Sequence, residues 1–233
     1  MKIIAEIGIN HNGDFRYMQE LIRQAALGGA DYAKFQLYNS RRVFGDDSRK
    51  QNEFTLEQVR QLQAMCAFYG IEFLASVFDE QKVEWCEQLG VKEYKIASRT
   101  AAKEPALCES ILKLNKPTLV SLGFWQQAEL PFATYPNVRL LNCISKYPTT
   151  CFDYQPLRRY SERVVGLSDH SYGIAFCLYH IAHGATVIEK HFTLNKSMPG
   201  NDHIGSMDLA ELRSLREHGD QVAAIAQGLS KDT

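Results

Sequence analysis

Residues 54–76 read FTLEQVRQLQAMCAFYGIEFLAS, and two different periods meet inside them. From Thr55 to Tyr69 the period is helical, with Leu56, Val59, Leu62, Cys66 and Tyr69 on one face. Both ends are marked. Thr55 and Gln58 have the spacing of a capping box, Phe54 and Val59 that of a hydrophobic staple, and Gly70 supplies a C-terminal stop. Directly beyond the glycine, residues 71–76 form a short apolar run of strand length. A helix that passes to a strand through one glycine is half of a β/α repeat.

Outward from this stretch the same alternation recurs. Apolar runs stand at 3–8, 32–37, 94–97, 117–121, 138–144, 164–168 and 186–191, which with 71–76 makes eight candidate strands. The first gap reads as a helix with Asp14 as N-cap, Met18, Leu21, Ile22 and Ala25 as its buried face, and Gly28-Gly29 as its close. A helix is expected in every gap, and a last one over about 207–226 is followed by a polar tail, 228–233. Strands alternating with helices form a parallel sheet, because parallel neighbours need a crossover connection. Eight repeats without a Gly-rich first turn favour a closed (β/α)8 TIM barrel over an open dinucleotide-binding sheet. One domain over 1–233 accounts for the whole pattern.

Composition narrows the partners. With 26 basic and 27 acidic residues and a formal charge of -1, nothing long-range draws the chain to nucleic acid or to an anionic membrane. Any anion must be held by a local site. Six cysteines, Cys66, Cys86, Cys108, Cys143, Cys151 and Cys177, are scattered without a CxxC pair, the pattern of reduced thiols. Neither a signal peptide nor a spanning segment is read, so the expected compartment is the cytoplasm.

In such a barrel the chemistry belongs at the C-terminal ends of the strands, and polar residues crowd there. They are Glu6, Lys34 with Gln36, Ser76, Lys95 with Ser98, Ser121, Ser145 with Tyr147, Ser168 with His170, and Glu189 with His191. A single lysine at a strand end is read as readily as a side chain that snorkels to solvent as a functional one. Two lysines inside apolar strands, with hydroxyls close behind, call for an anionic partner such as a bound phosphate or carboxylate. His180, His183 and His218 lie in helical stretches and read as ordinary hydrogen-bonded residues. His170 and His191 differ, because neighbouring strands lie about 4.8 Å apart and two imidazoles there can reach one ion. Glu189 shares the inward face of His191, and Asp202 or His203 is positioned in sequence to complete a shell. Two histidines with carboxylate and water suit Mn2+, with Mg2+ or Co2+ as alternatives, and not a structural zinc cage.

Taken together, six stretches resemble the N-acetylneuraminate (sialic acid) synthase family of phosphoenolpyruvate-condensing enzymes: AEIGINHNGD (5–14), GGADYAKFQ (28–36), YKIAS (94–98), LLNCISKYPT (140–149), VGLSDHSYGI (165–174) and IEKHFTLNKSMPGNDH (188–203). The resemblance implies a transferase of carbohydrate biosynthesis that joins phosphoenolpyruvate to the open-chain aldehyde of an N-acetylmannosamine-like sugar. Carried over by position, Lys34, Ser76, Lys95, Ser98, Ser121, Ser145 and Ser168 fall where that family grips the donor. His170 and His191 fall on its metal ligands. Gln36, Tyr147 and Asp202 fall beside the acceptor sugar, with Glu6 as a proton-handling carboxylate.

The sequence also departs from that family. Members usually carry a C-terminal antifreeze-like domain whose arginine covers the acceptor of a partner subunit; the expectation here is a barrel without it, with a separate cap-domain protein or a homodimer as candidate partners. Leu122, Val77 and the pair Arg99-Thr100 replace residues common in the family, the last pair standing where a small residue and a carboxylate are usual. Two alternatives stay open: a degenerate barrel that binds metal or sugar phosphate without turnover, and a 3-deoxy sugar acid synthase with a different acceptor.

Overall fold

A computed structural model describes residues 1–229. Eight strands close into one parallel barrel in sequence order. They are β1 (Lys2–Gly8), β2 (Tyr32–Leu37), β3 (Glu72–Val77), β4 (Tyr94–Ile96), β5 (Thr118–Ser121), β6 (Val138–Cys143), β7 (Val164–Asp169) and β8 (Val187–His191). The helices are α1 (Phe15–Leu27), α2 (Ser40–Phe44), α3 (Leu56–Tyr69), α4 (Glu80–Gln88), α5 (Ser98–Lys103), α6 (Pro105–Lys113), α7 (Ala175–Ala182) and α8 (Leu209–Leu229). The fold is thus the (β/α)8 class that the alternation implies, and no helix is long and apolar enough to cross a membrane among the described residues.

Local signals are met where they are strongest. At α3 the Thr55 hydroxyl accepts from the Gln58 amide at 3.2 Å and the Gln58 side chain accepts from the Thr55 amide at 2.8 Å. Such a cap is worth about 1 kcal/mol. Gly70 closes the helix at φ 71°, a conformation open to glycine at little cost. Asp14 caps α1 by accepting from the Arg16 amide, and Met18, Leu21, Ile22 and Ala25 are its buried residues.

The alternation is not complete. Periodicity predicts a helix in every gap, yet among the described residues the chain runs from β5 to β6 and from β6 to β7 without an α-helix; the second gap holds only a 3-10 turn at Cys151–Asp153. Pro131 and Pro136 stand in the first gap, Pro148 and Pro156 in the second. Each removes a backbone donor and crowds the preceding turn, which stops a helix from propagating. The last helix also runs further than its pattern suggests, to Leu229, so that Gly228 belongs to it; the rest of the expected polar tail, 230–233, lies outside the described residues.

Two apolar layers hold the barrel. The larger lies between strands and helices, and a smaller one fills the lower lumen with Ile4, Leu74, Leu119, Leu141 and Val187. At β7 the register shifts, and a side chain at Gly166 would collide with the Val187 carbonyl oxygen. That close approach brings β7 onto β8, and so carries the two ends bearing His170 and His191 to one another.

Candidate active site at the barrel mouth

Inward-facing residues repeat every second position along a strand, so the residues two places beyond the apolar lumen layer form the floor of a cavity at the C-terminal mouth. The cavity measures about 660 Å³, and its lining includes every candidate residue: Glu6, Lys34, Gln36, Ser76, Lys95, Ser98, Ser121, Ser145, Tyr147, Ser168, His170, His191 and Asp202.

At the floor, both buried ammonium groups already have carboxylate neighbours. Lys34 Nζ lies 2.7 Å from Glu6 and 3.4 Å from Glu189, and donates to Ser76 Oγ at 3.2 Å. Lys95 Nζ lies 3.5 Å from Glu189 and donates to the Ile96 carbonyl at 3.2 Å. The partner that the two lysines require is therefore Glu189, bridging them from β8, and not only a bound ligand. Glu189 accepts in turn from Ser168 at 2.7 Å, and Gln36 donates to Glu6 at 2.8 Å. Burial alone would raise the Glu189 carboxyl, but Lys34 and Lys95 override it and hold it at about 2. For Lys95 burial wins and lowers its pKa, because Glu189 is shared and Lys34 repels it. Lys34, with two carboxylates, goes the other way: burial opposes its charge and Glu189 and Glu6 outweigh burial. Lys95 is the less compensated cation. Beside it the Ser121 hydroxyl is buried without a hydrogen-bond partner, and the Ser98 hydroxyl accepts from the Gly123 amide at 3.0 Å.

The two imidazoles converge, with ring centroids 5.6 Å apart. His170 Nδ1 pairs with the Ile144 carbonyl at 2.8 Å; a carbonyl can only accept, so Nδ1 carries a proton and Nε2 is the nitrogen left for a metal. Burial opposes a charge on this ring, but Cys143 and the Ile144 carbonyl outweigh burial and raise its pKa. His191 Nδ1 is buried without a hydrogen-bond partner and stands 3.8 Å from Asp202. Burial lowers the pKa of His191, against the pull of Asp202, and so favours the neutral ring a metal would need. Among the described residues no group of three or more His, Cys, Asp or Glu side chains is arranged to hold a metal. What the chain offers is His170 Nε2 and the His191 ring with Asp202 beside them, an open set that leaves positions for water or substrate. His203 is not part of it: its Nδ1 pairs with Thr193 Oγ1 at 2.7 Å. The Tyr147 ring covers His170 with centroids 4.0 Å apart.

Behind the histidines, on the outer face of the same strands, a second charged pair is completely enclosed. Lys190 Nζ lies 2.7 Å from Asp169 Oδ2 and donates to the Ser171 carbonyl. Asp169 also accepts from the Ser171 amide and hydroxyl, each at 2.9 Å. Each member of the pair directly precedes one histidine in the chain, so the pair staples the strand ends that carry both rings.

Other expected residues keep ordinary roles. His180 pairs with the Tyr160 hydroxyl, His183 with the Tyr179 carbonyl, and His218 with Ser214. Five cysteines are buried and Cys151 is exposed, all of them free thiols. Sequence reasoning overlooked Arg49, Asn52 and Phe124, which also line the cavity, and weighed Arg99 only as a replacement. Arg49 and Phe124 come from loops and Asn52 from a short 3-10 turn, where no periodicity marks the inward face, while Arg99 lies in the first turn of α5.

Comparison with known proteins places the chain in a family. The chain is 34% identical to the N,N'-diacetyllegionaminic acid synthase of Campylobacter jejuni, over 98% of this chain and 78% of that one. It is also 34% identical to the N-acetylneuraminate-9-phosphate synthase of Homo sapiens, over 91% of this chain and 67% of that one. The solved N-acetylneuraminic acid synthetase of Leptospira borgpetersenii superposes with a TM-score of 0.86 at 29% identity, over 96% of this chain and 84% of that one. The family model matched is that of the NeuB family, over residues 21–231, a span holding all the candidate residues but Glu6, and the chain belongs to that family.

Proposed function

We propose that this chain is an enzyme that condenses phosphoenolpyruvate with the open-chain aldehyde of an N-acetylated amino sugar, giving a nonulosonic acid and phosphate. The observation that carries the reading is the convergence, at one mouth, of two buried lysines, a set of serines and two imidazoles with ring centroids 5.6 Å apart. The names of the relatives, synthases of legionaminic acid and N-acetylneuraminate phosphate, point to the same class of product.

In the proposed roles, Lys34 and Lys95 with Ser76, Ser98, Ser121, Ser145 and Ser168 hold the donor. Gln36, Tyr147 and Asp202 contact the acceptor, and Glu6, fixed by Gln36 and Lys34, handles a proton. His170 and His191 would hold a divalent ion, Mn2+ first and Mg2+ or Co2+ as alternatives, which when bound supplies Lewis acidity at the aldehyde oxygen. Charge supports a role for it. Of the charged lining residues, Lys34, Arg49, Lys95 and Arg99 contribute +4 and Glu6, Glu189 and Asp202 contribute -3, a net of +1. A polyanionic donor is poorly matched by that alone and well matched by two more positive charges.

The bond changes balance. The methylene carbon of phosphoenolpyruvate bonds to the aldehyde carbon, water adds at the carbon bearing the phosphate, and the C–O bond breaks to release inorganic phosphate. The enclosed walls orient the two reactants, and the lysines match the donor's charge without forming a covalent bond. Free buried thiols fit the cytoplasm as its compartment.

The deciding assay is release of inorganic phosphate from phosphoenolpyruvate with Mn2+ across a panel of acceptor sugars, with the product identified by mass. Release is expected only when donor, metal and amino sugar are all present. Ligand binding without release from any acceptor would leave a binding barrel in place of an enzyme.

A further inference from the structure

The turn after β1, Asn10-His11-Asn12, packs against the long loop between β8 and α8, residues 192–208, which carries Asp202. Backbone bonds tie the base of that loop: the Thr193 amide donates to the Met207 carbonyl at 2.8 Å, and the Met207 amide to the His191 carbonyl at 2.7 Å. Asp202 lies well inside the loop, so these bonds alone do not set its place. Asn10 is 2% exposed and stands outside the cavity lining. Its Nδ2 donates to the Phe192 carbonyl and to Ser206 Oγ, each at 2.9 Å. Ser206, fully buried, donates in turn to the Asp202 carbonyl at 2.6 Å.

The directions of these bonds are fixed. A carbonyl can only accept, so the nitrogen of the Asn10 amide, and not its oxygen, faces Phe192; the one hydroxyl hydrogen of Ser206 goes to Asp202, so its oxygen accepts from Asn10. Phe192 directly follows His191, and Asp202 Oδ2 lies 3.8 Å from His191 Nδ1. A single buried amide thus holds both members of that pair, by the backbone next to the ring and, through Ser206, by the backbone of the carboxylate. Asn12 reaches the same loop further out, where its Nδ2 donates to the Pro199 carbonyl at 3.1 Å. That contact is exposed and water can replace it, whereas the loss of a buried donor leaves its acceptors without a substitute.

We infer that Asn10 is a positioning residue: through Ser206 it sets the Asp202 carboxylate against His191, and so fixes the acceptor side of the site without touching a substrate. This rests on the roles proposed above for Asp202 and His191. Asn10→Ala and the milder Ser206→Ala should each lower kcat/KM for N-acetylmannosamine in the Mn2+-loaded protein by ~10–100-fold, with KM for phosphoenolpyruvate unchanged, because the lysines of the floor are outside this chain of bonds. In a protein already carrying Asp202→Ala, neither change should add a further loss. Losses that multiply, or an equal rise in KM for phosphoenolpyruvate, overturn the inference, since either makes Asn10 a support of the barrel at large. Should Asn10→Ala not fold, Ser206→Ala carries the same comparison. Hydrogen exchange reads the clamp with neither metal nor substrate: the amides of Ser206 and Met207 should exchange ~10-fold faster in either variant, the size of one hydrogen bond, while those of β2 and β3 keep their parent rates. Unchanged exchange in the loop sinks the inference. If no acceptor releases phosphate, the condensation fails and not the clamp, and the exchange rates decide alone.

Discussion

The lower and upper halves of the barrel lumen are built from the same strands, two residues apart, and differ completely in chemistry. Below stand Ile4, Leu74, Leu119, Leu141 and Val187; two positions further along each strand stand Glu6, Ser76, Ser121, Cys143 and Glu189. The lower layer is an apolar cluster, and its contribution is the burial of apolar surface, roughly 25 cal/mol per Å². The upper layer buries charges that repay their desolvation only through one another. Closure of the ring is secured below, which allows the layer above to hold ionic groups that would otherwise be expelled.

The sharpest way to break this division is at His191. His191→Ala should abolish turnover and weaken Mn2+ binding by more than the ~10–100-fold typical of losing a residue that merely supports a ligand, while the melting temperature stays close to that of the parent. Calorimetric Mn2+ titration beside a thermal melt checks this, and full metal affinity in the variant would remove the ion from this position. Next in size is Lys190→Met, which strands Asp169 in an enclosed site. A loss of about 3–5 kcal/mol in urea unfolding is expected, since breaking one partner of a buried pair leaves an uncompensated charge. Mn2+ affinity should fall with it, and a drop in stability alone would make the pair a staple of the fold without influence on the imidazoles.

Within the lower layer, Leu119→Ala should cost about 2–5 kcal/mol of stability by leaving a cavity, with phosphate release per folded molecule preserved. An equal fall in turnover would show that the two halves are not independent. The smallest effect is expected from Lys95→Ala. It should weaken the donor complex by about 1.5–3 kcal/mol, read as a raised KM for phosphoenolpyruvate, with stability little changed because Glu189 keeps Lys34 as its partner. An unaltered KM would place the donor elsewhere in the cavity.

Much of this was legible in the residues because the signals are local. The capping box of Thr55 and Gln58, the stop at Gly70 and the buried face of α1 involve neighbours within one or two helical turns, and they appear where spacing puts them. The strand ends were legible for a related reason: a strand's inward face repeats with period 2, so the step from apolar to polar along that face marks the mouth. Loops carry no period, which is why Arg49 and Asn52 went unremarked and why helices were expected in the two gaps that Pro131, Pro136, Pro148 and Pro156 keep irregular.

The sequence by itself determined the eight strands, the capped helices α1 and α3 and the set of polar residues at the strand ends, since each depends on backbone periodicity and on contacts between near neighbours. Only the tertiary structure decided that Glu189 bridges Lys34 and Lys95, that Asp202 and not His203 approaches His191, and that Asp169 and Lys190 meet behind the histidines. These are pairings between strands or loops, and their distances exist only once the barrel has closed and its registers are set.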